Sequence, residues 1–128
     1  MGDITRTKAD VRPLPGAIIQ RGTAGATIEA GEAVYLNGTS NWAPADGNAG
    51  SNAEKARGVA VAPKDIVSGD VFDICVFGPV EGYASMTPGA VHYVSDTVGE
   101  ISTAAGTNSH MIGWARSATV LFVQPQLA

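Results

Sequence analysis

Two phrases in this chain repeat one another. The first, "AGEAVYLNG", runs from Ala30 to Gly38; the second, "PGAVHYVSD", runs from Pro88 to Asp96. Each has a glycine (Gly31, Gly89), three residues, a tyrosine (Tyr35, Tyr93), an aliphatic residue and then a polar turn. The likeness continues downstream of each phrase: a second short strand ("NWAPAD", "GEISTA"), a polar loop, and a glycine-opened strand ("RGVAVA", "IGWARS"). Each copy then ends in a β run stopped by proline ("VFDICVFGP", "ATVLFVQP"). The first copy is longer by the insertion at 46–55 and an extra turn at Val67–Asp70. Two copies are too few for a solenoid, which needs about three or more stacked units. Two antiparallel meanders that cannot each bury their own face close on one another instead. The expected fold is therefore all-β, a small β-barrel or β-sandwich. It is built from quasi-repeats at 28–79 and 86–125 within one domain, 17–128, preceded by an extended N-terminal arm, 1–16.

Composition agrees with that grammar. Sixteen Gly and seven Pro punctuate short apolar runs in 128 residues, and charged residues make up only 16%. Long solvent-exposed helices need far more Glu, Lys and Arg, so helix content should be very low. No run approaches the ~18 apolar residues of a membrane span, and "MGDITRTKADVRPLP" lacks the apolar centre of a secretory signal. Cys75 is the sole cysteine, so no intrachain disulfide forms and a reducing cytosol is the expected site of synthesis. The net charge of −4 is uneven. Residues 1–21 hold four basic and two acidic residues; the remainder hold four basic and ten acidic. Such a basic segment suits nucleic acid or an acidic protein surface. Four charges without interleaved aromatics argue against nucleic acid.

Along the chain, Pro13 and Pro15 mark the arm as extended and ordered only when something binds it. Asn37-Gly38 predicts a type I′ hairpin turn, since both residues tolerate positive φ. Val34 and Leu36 alternate with Ala33 and Tyr35, as in a strand packed on both faces. The polar stretch 46–55 reads as a mobile loop. In the strand Val71–Phe77, Phe72, Ile74 and Val76 share one face, while Val71, Asp73, Cys75 and Phe77 share the other. Tyr35 and Tyr93 read as half-buried strand aromatics, and Gly31 and Gly89 as turn glycines.

Chemistry-bearing residues are sparse. His92 falls in a strand and His110 in a polar loop, while Cys75 lies mid-strand, where a cysteine behaves as a small hydrophobe. A Cys75–His dyad is the one conceivable nucleophile, but nothing in the sequence would lower the thiol pKa. No spacing fits zinc or calcium, and no phosphate cradle or nucleophile elbow occurs. The expectation is no catalytic, cofactor-binding or metal site. Trp42 and Trp114 raise sugar stacking as a further reading; their nearly matching places in the two copies favour packing instead.

The phrases "GEAVYLNG", "ARGVAVAP", "TPGAVHYVSDTVGEIST" and "IGWARSATVLFVQPQ" resemble the small decoration, or cement, proteins on tailed-bacteriophage capsids. The resemblance covers about residues 16–126. It implies a structural virion protein, often a homotrimer, that does no chemistry. Such a protein is made in the host cytoplasm, binds the outer capsid surface and bridges major capsid protein subunits, with no nucleic-acid or membrane partner. It also makes the basic arm the candidate interface, through Arg6, Lys8, Arg12, Pro13, Pro15 and Arg21. Similar phrases occur in phage tail and head-fibre modules that contact host surface glycans, which is the alternative.

Overall fold

The computed structural model describes residues 3–50 and 54–125. Its strands in chain order are β1 (Thr5–Arg6), β2 (Arg12–Pro13), β3 (Ile18–Thr23), β4 (Ala33–Leu36), β5 (Trp42–Pro44) and β6 (Gly58–Val61). They continue with β7 (Val71–Glu81), β8 (Tyr83–Ala84), β9 (Val91–Val94), β10 (Ile101–Ser102), β11 (Met111–Ala115) and β12 (Val120–Val123). A 3-10 turn at Lys8–Asp10 separates β1 from β2. The chain is all-β, and its main sheet is curled and antiparallel, in the order β10-β9-β11-β12-β7-β6-β4-β5.

That order is a strand plan written twice. β4 pairs with β5 and β6, and β6 pairs with β7. Likewise β9 pairs with β10 and β11, and β11 pairs with β12. The long β7 is the seam: Asp73–Cys75 pair with β6, and Gly78–Glu81 pair with β12. Gly31 and Gly89 adopt φ of +86° and +88°, a left-handed conformation that side-chain-bearing residues rarely take. In both copies the strand starts two residues later, with the tyrosine third and half-buried.

Gly58 and Gly113, which belong to the matching strands β6 and β11, answer a different need. A Cβ on Gly58 would overlap the Cys75 carbonyl oxygen, and one on Gly113 would overlap that of Phe122. Only glycine lets each strand press onto its neighbour's backbone.

Two apolar clusters follow from the alternation of side chains. Ala33, Val59, Val61 and Cys75 point into a large core shared with Val80, Val94, Ile112, Leu121 and Val123. Val34, Ala60, Phe72 and Ile74 point the other way, into a smaller cluster closed by Ala24, Ile28, Trp42 and Ile66. The β4–β6–β7 layer is thus covered on both faces. A parallel bridge between Ala24 and Trp42 ties the end of β3 to β5 around the smaller cluster.

Several expectations change here. The N-terminal segment is laid on the body instead of extending from it. Asp3 bridges Ser102, β1 pairs with β8, and β2 pairs with β7. Ile4 and Val11 enter the large core at 7% and 2% exposure. The reason is that the edges of β10, β8 and β7 need backbone partners, and this segment supplies them. Phe77 leaves the face of Cys75, because Ile18 pairs with Phe77 while Ile19 pairs with Cys75, so Val76 bulges. One extra residue reverses the side-chain alternation beyond it.

The Asn37–Gly38 turn is a longer loop than the type I′ form. Asn37 N–H donates to Asn41 O, Ser40 N–H donates to Asn37 O, and Ser40 takes the positive φ, at 67°. Trp42 and Trp114 lie in non-equivalent strands, β5 and β11. The described part of the 46–55 loop is tied down. Gly47 N–H donates to Ser95 O, its carbonyl accepts from Asn108, and Lys55 is buried; residues 51–53 lie outside the described residues.

Candidate functional site

The bulge at Val76 and the alternation of β12 bring several apolar side chains to one outer face. Leu121 and Val123 point into the core, so Phe122 between them points out. Its ring meets Phe77 edge-on at 5.1 Å and stacks on Trp114 at 5.1 Å, 23° from parallel. The Trp114 indole N–H donates to Gln124 Oε1 at 3.3 Å. Ile18, which pairs with Phe77, is 55% exposed, and Phe77 itself is 41% exposed. Beside Phe77 opens a groove of about 770 Å³, lined by Leu36, Trp42, Val76, Phe77 and Pro125, with Gln20 and Arg57 supplying polar edges. Both copies contribute: β4, β5 and β7 from the first, β11 and β12 from the second, with β3, which precedes the first copy, beside them. Exposed Ile18, Phe77 and Leu36 grouped around an apolar groove mark a place where another surface packs.

The sequence reading missed this face. Val120–Val123 is apolar throughout, so periodicity cannot say which side chain points out. Nothing in "DICVFGP" announces the bulge.

The residues expected from the arm are brought to the body and paired there. Arg6 is the most enclosed, with its side chain 7% exposed. Its Nε donates to Ala30 O at 2.6 Å, Nη1 to Glu100 Oε1 at 2.9 Å and Nη2 to Glu29 Oε1 at 3.2 Å. Lys8 pairs with Asp65 at 2.8 Å and Glu29 at 3.5 Å. Arg12 is bonded to Glu81 and Arg21 lies 3.4 Å from Asp73. Both keep mostly exposed side chains, and Pro13 and Pro15 are exposed. The positive charge counted in residues 1–21 is therefore matched on the surface by the body's own acids.

Around Arg6 the two copies meet. Glu29 and Glu32 flank the Gly31 turn, and Glu100 belongs to the second copy. One oxygen from each of these three carboxylates lies within 4.8 Å of the others. The Arg6 guanidinium already occupies that space, so the cluster reads as a charge-compensated fastening of the N-terminal segment. Burial pushes Glu32 up to about 7, opposed by the Glu29 N–H donated to its Oε1 at 2.8 Å and by Arg6. Tyr83 O–H donates to Gly31 O at 2.7 Å, and burial raises its pKa.

The other candidate groups stand apart from this. Cys75 is fully buried, with Sγ 3.4 Å from Phe77 O, and burial pushes its thiol up to about 11. That is the opposite of what an attacking thiolate needs. His92 and His110 are buried, and burial lowers both. Trp42 is 6% exposed, its indole packed over Gly22. Among the described residues, no helix is long and apolar enough to cross a membrane. No known family and no curated protein matches the chain.

Proposed function

We propose that this chain is a structural protein of a tailed-phage particle. In that role it binds the outer surface of the icosahedral capsid as a homotrimer and stabilises it by bridging major capsid protein subunits. The observation that carries the reading is the apolar face on which Ile18 and Phe77 are exposed beside the half-buried, stacked rings of Phe122 and Trp114, with its adjoining groove. It spans both meanders on a scaffold held by a shared core, and it joins the resemblance in the turn and strand phrases. Aromatic and aliphatic anchors of this kind supply most of the energy of protein interfaces. Three linked copies turn a weak single contact into a strong one through effective concentration. The arm's part in this reading shrinks to Arg12, Pro13, Pro15 and Arg21, which remain at the surface, because Arg6 is enclosed by the body and half-buried Lys8 is held between Asp65 and Glu29.

The test is co-sedimentation with expanded, undecorated tailed-phage shells. The native protein should pellet with shells of its own phage, while Phe77→Asp and Ile18→Asp should each weaken binding by roughly tenfold or more at unchanged circular dichroism. Binding that ignores both substitutions rejects the assignment of the face, and no binding to any shell in a broad panel rejects the role. The host-glycan alternative requires an open indole. Trp42 is buried and Trp114 is stacked on Phe122, so no observation favours that reading.

A further inference from the structure

We propose that Asn37–Gly38 is a site of intrinsic deamidation, and that the β4–β5 loop assists the reaction. The motif alone is common; what the structure adds is the environment of the amide. Asn37 Oδ1 accepts three hydrogen bonds, from Thr39 N–H at 2.9 Å, Thr39 Oγ1 at 2.7 Å and Asn41 N–H at 3.1 Å. Donors converging on one carbonyl oxygen draw electron density from Cγ. They also hold the charge that oxygen acquires when a nucleophile adds, as in an oxyanion hole.

The nucleophile is the next backbone nitrogen. Gly38 is exposed, a Cβ there would meet nothing within 4 Å, and its N–H has no acceptor among the described residues. No ladder bond holds that nitrogen back, and no side chain restricts its rotation toward Cγ.

The step balances without any redox partner. The Gly38 nitrogen gives its proton to a solvent base and forms a bond to Asn37 Cγ. The Cγ–Nδ2 bond breaks, and the departing nitrogen takes up a proton and leaves as ammonia. The resulting succinimide adds water at either ring carbonyl and opens to aspartate or isoaspartate. Either product adds a negative charge at the hairpin. Isoaspartate also inserts a backbone carbon after Leu36, which pairs with Trp42 and lines the groove. Asn41, Asn48 and Asn108 precede Trp42, Ala49 and Ser109, whose side chains crowd the same attack.

The folded protein is aged in mildly alkaline buffer and followed by intact mass, with peptide mapping and isoaspartate-specific methylation to locate the change. Conversion should begin at Asn37, ahead of Asn41, Asn48 and Asn108. Asn37→Ser should abolish it, and Gly38→Ala should slow it roughly tenfold, equivalent to about 1.4 kcal/mol of barrier. Thr39→Val, which removes one donor, should slow it severalfold while the unfolding midpoint shows the hairpin intact. An unchanged Asn37 after the other asparagines have converted overturns the site. Faster conversion in Thr39→Val overturns the assisting role, since the hydrogen bonds would then be protecting the amide.

Discussion

Arg6 illustrates how one residue's setting overrides its type. An arginine near an N-terminus ordinarily reads as a surface charge, but here its guanidinium is enclosed by Ala30 O, Glu29 and Glu100. Replacing it with methionine leaves the buried Glu32 and the partly buried Glu100 without their counter-charge, and Arg6→Met should cost about 1–3 kcal/mol in urea unfolding. Glu32 beside it carries a pH signature. Its carboxyl titrates at about 7 in the folded protein against an ordinary 4.5, so folding takes up a proton between those values. The stability tied to that proton is present below about 4.5 and is lost as pH rises to about 7. Glu32→Gln keeps an acceptor for the Glu29 N–H but cannot ionise. Its unfolding midpoint relative to the native protein should rise between about pH 5 and about pH 8. A difference that stays flat over that range would show that Glu32 remains ionised throughout.

At the scale of elements, the N-terminal segment and β7 do what their sequences conceal. "DITRTKADV" has few apolar residues, and its two buried ones, Ile4 and Val11, are too far apart to form a pattern. The backbone partners of this segment lie on β8, β10 and the end of β7, far along the chain. Removing residues 1–13 should therefore damage the fold. Losing the burial of Ile4 and Val11 alone amounts to about 3–6 kcal/mol, a large share of a domain's usual stability. Circular dichroism and urea unfolding of the truncated chain should show a weakened or absent transition. A well-folded truncation would mean that the segment is an accessory. By contrast, the hairpins were legible because each is local. Asn37-Gly38 marked the β4–β5 reversal correctly, although Ser40 supplies the left-handed residue.

For the whole molecule, the shared core makes the two copies one folding unit. Leu121 of the second copy and Val59 of the first are both fully buried in the same cluster. Leu121→Ala should cost about 2–5 kcal/mol and lower the stability of both halves. Trp42 reports on the first copy and Trp114 on the second, so single-tryptophan variants offer a direct check. Their fluorescence transitions in urea should share one midpoint; two separate midpoints would mean that each meander folds alone.

The sequence by itself determined the doubled strand plan. Turn glycines, prolines and short apolar runs act locally, and a left-handed glycine ahead of a strand is needed wherever that corner occurs. Gly31 and Gly89 were therefore recognisable before any contact was known. Only the tertiary structure decided which side chains face outward and where the basic residues of the N-terminal segment are spent. Both depend on partners distant in the chain. The bulge at Val76 arises from how β3 meets β7, and Arg6 is enclosed only because the Gly31 turn and Glu100 converge on it. The face proposed for docking is a product of that convergence, since apolar alternation along one strand cannot say which of its two sides the rest of the molecule will cover.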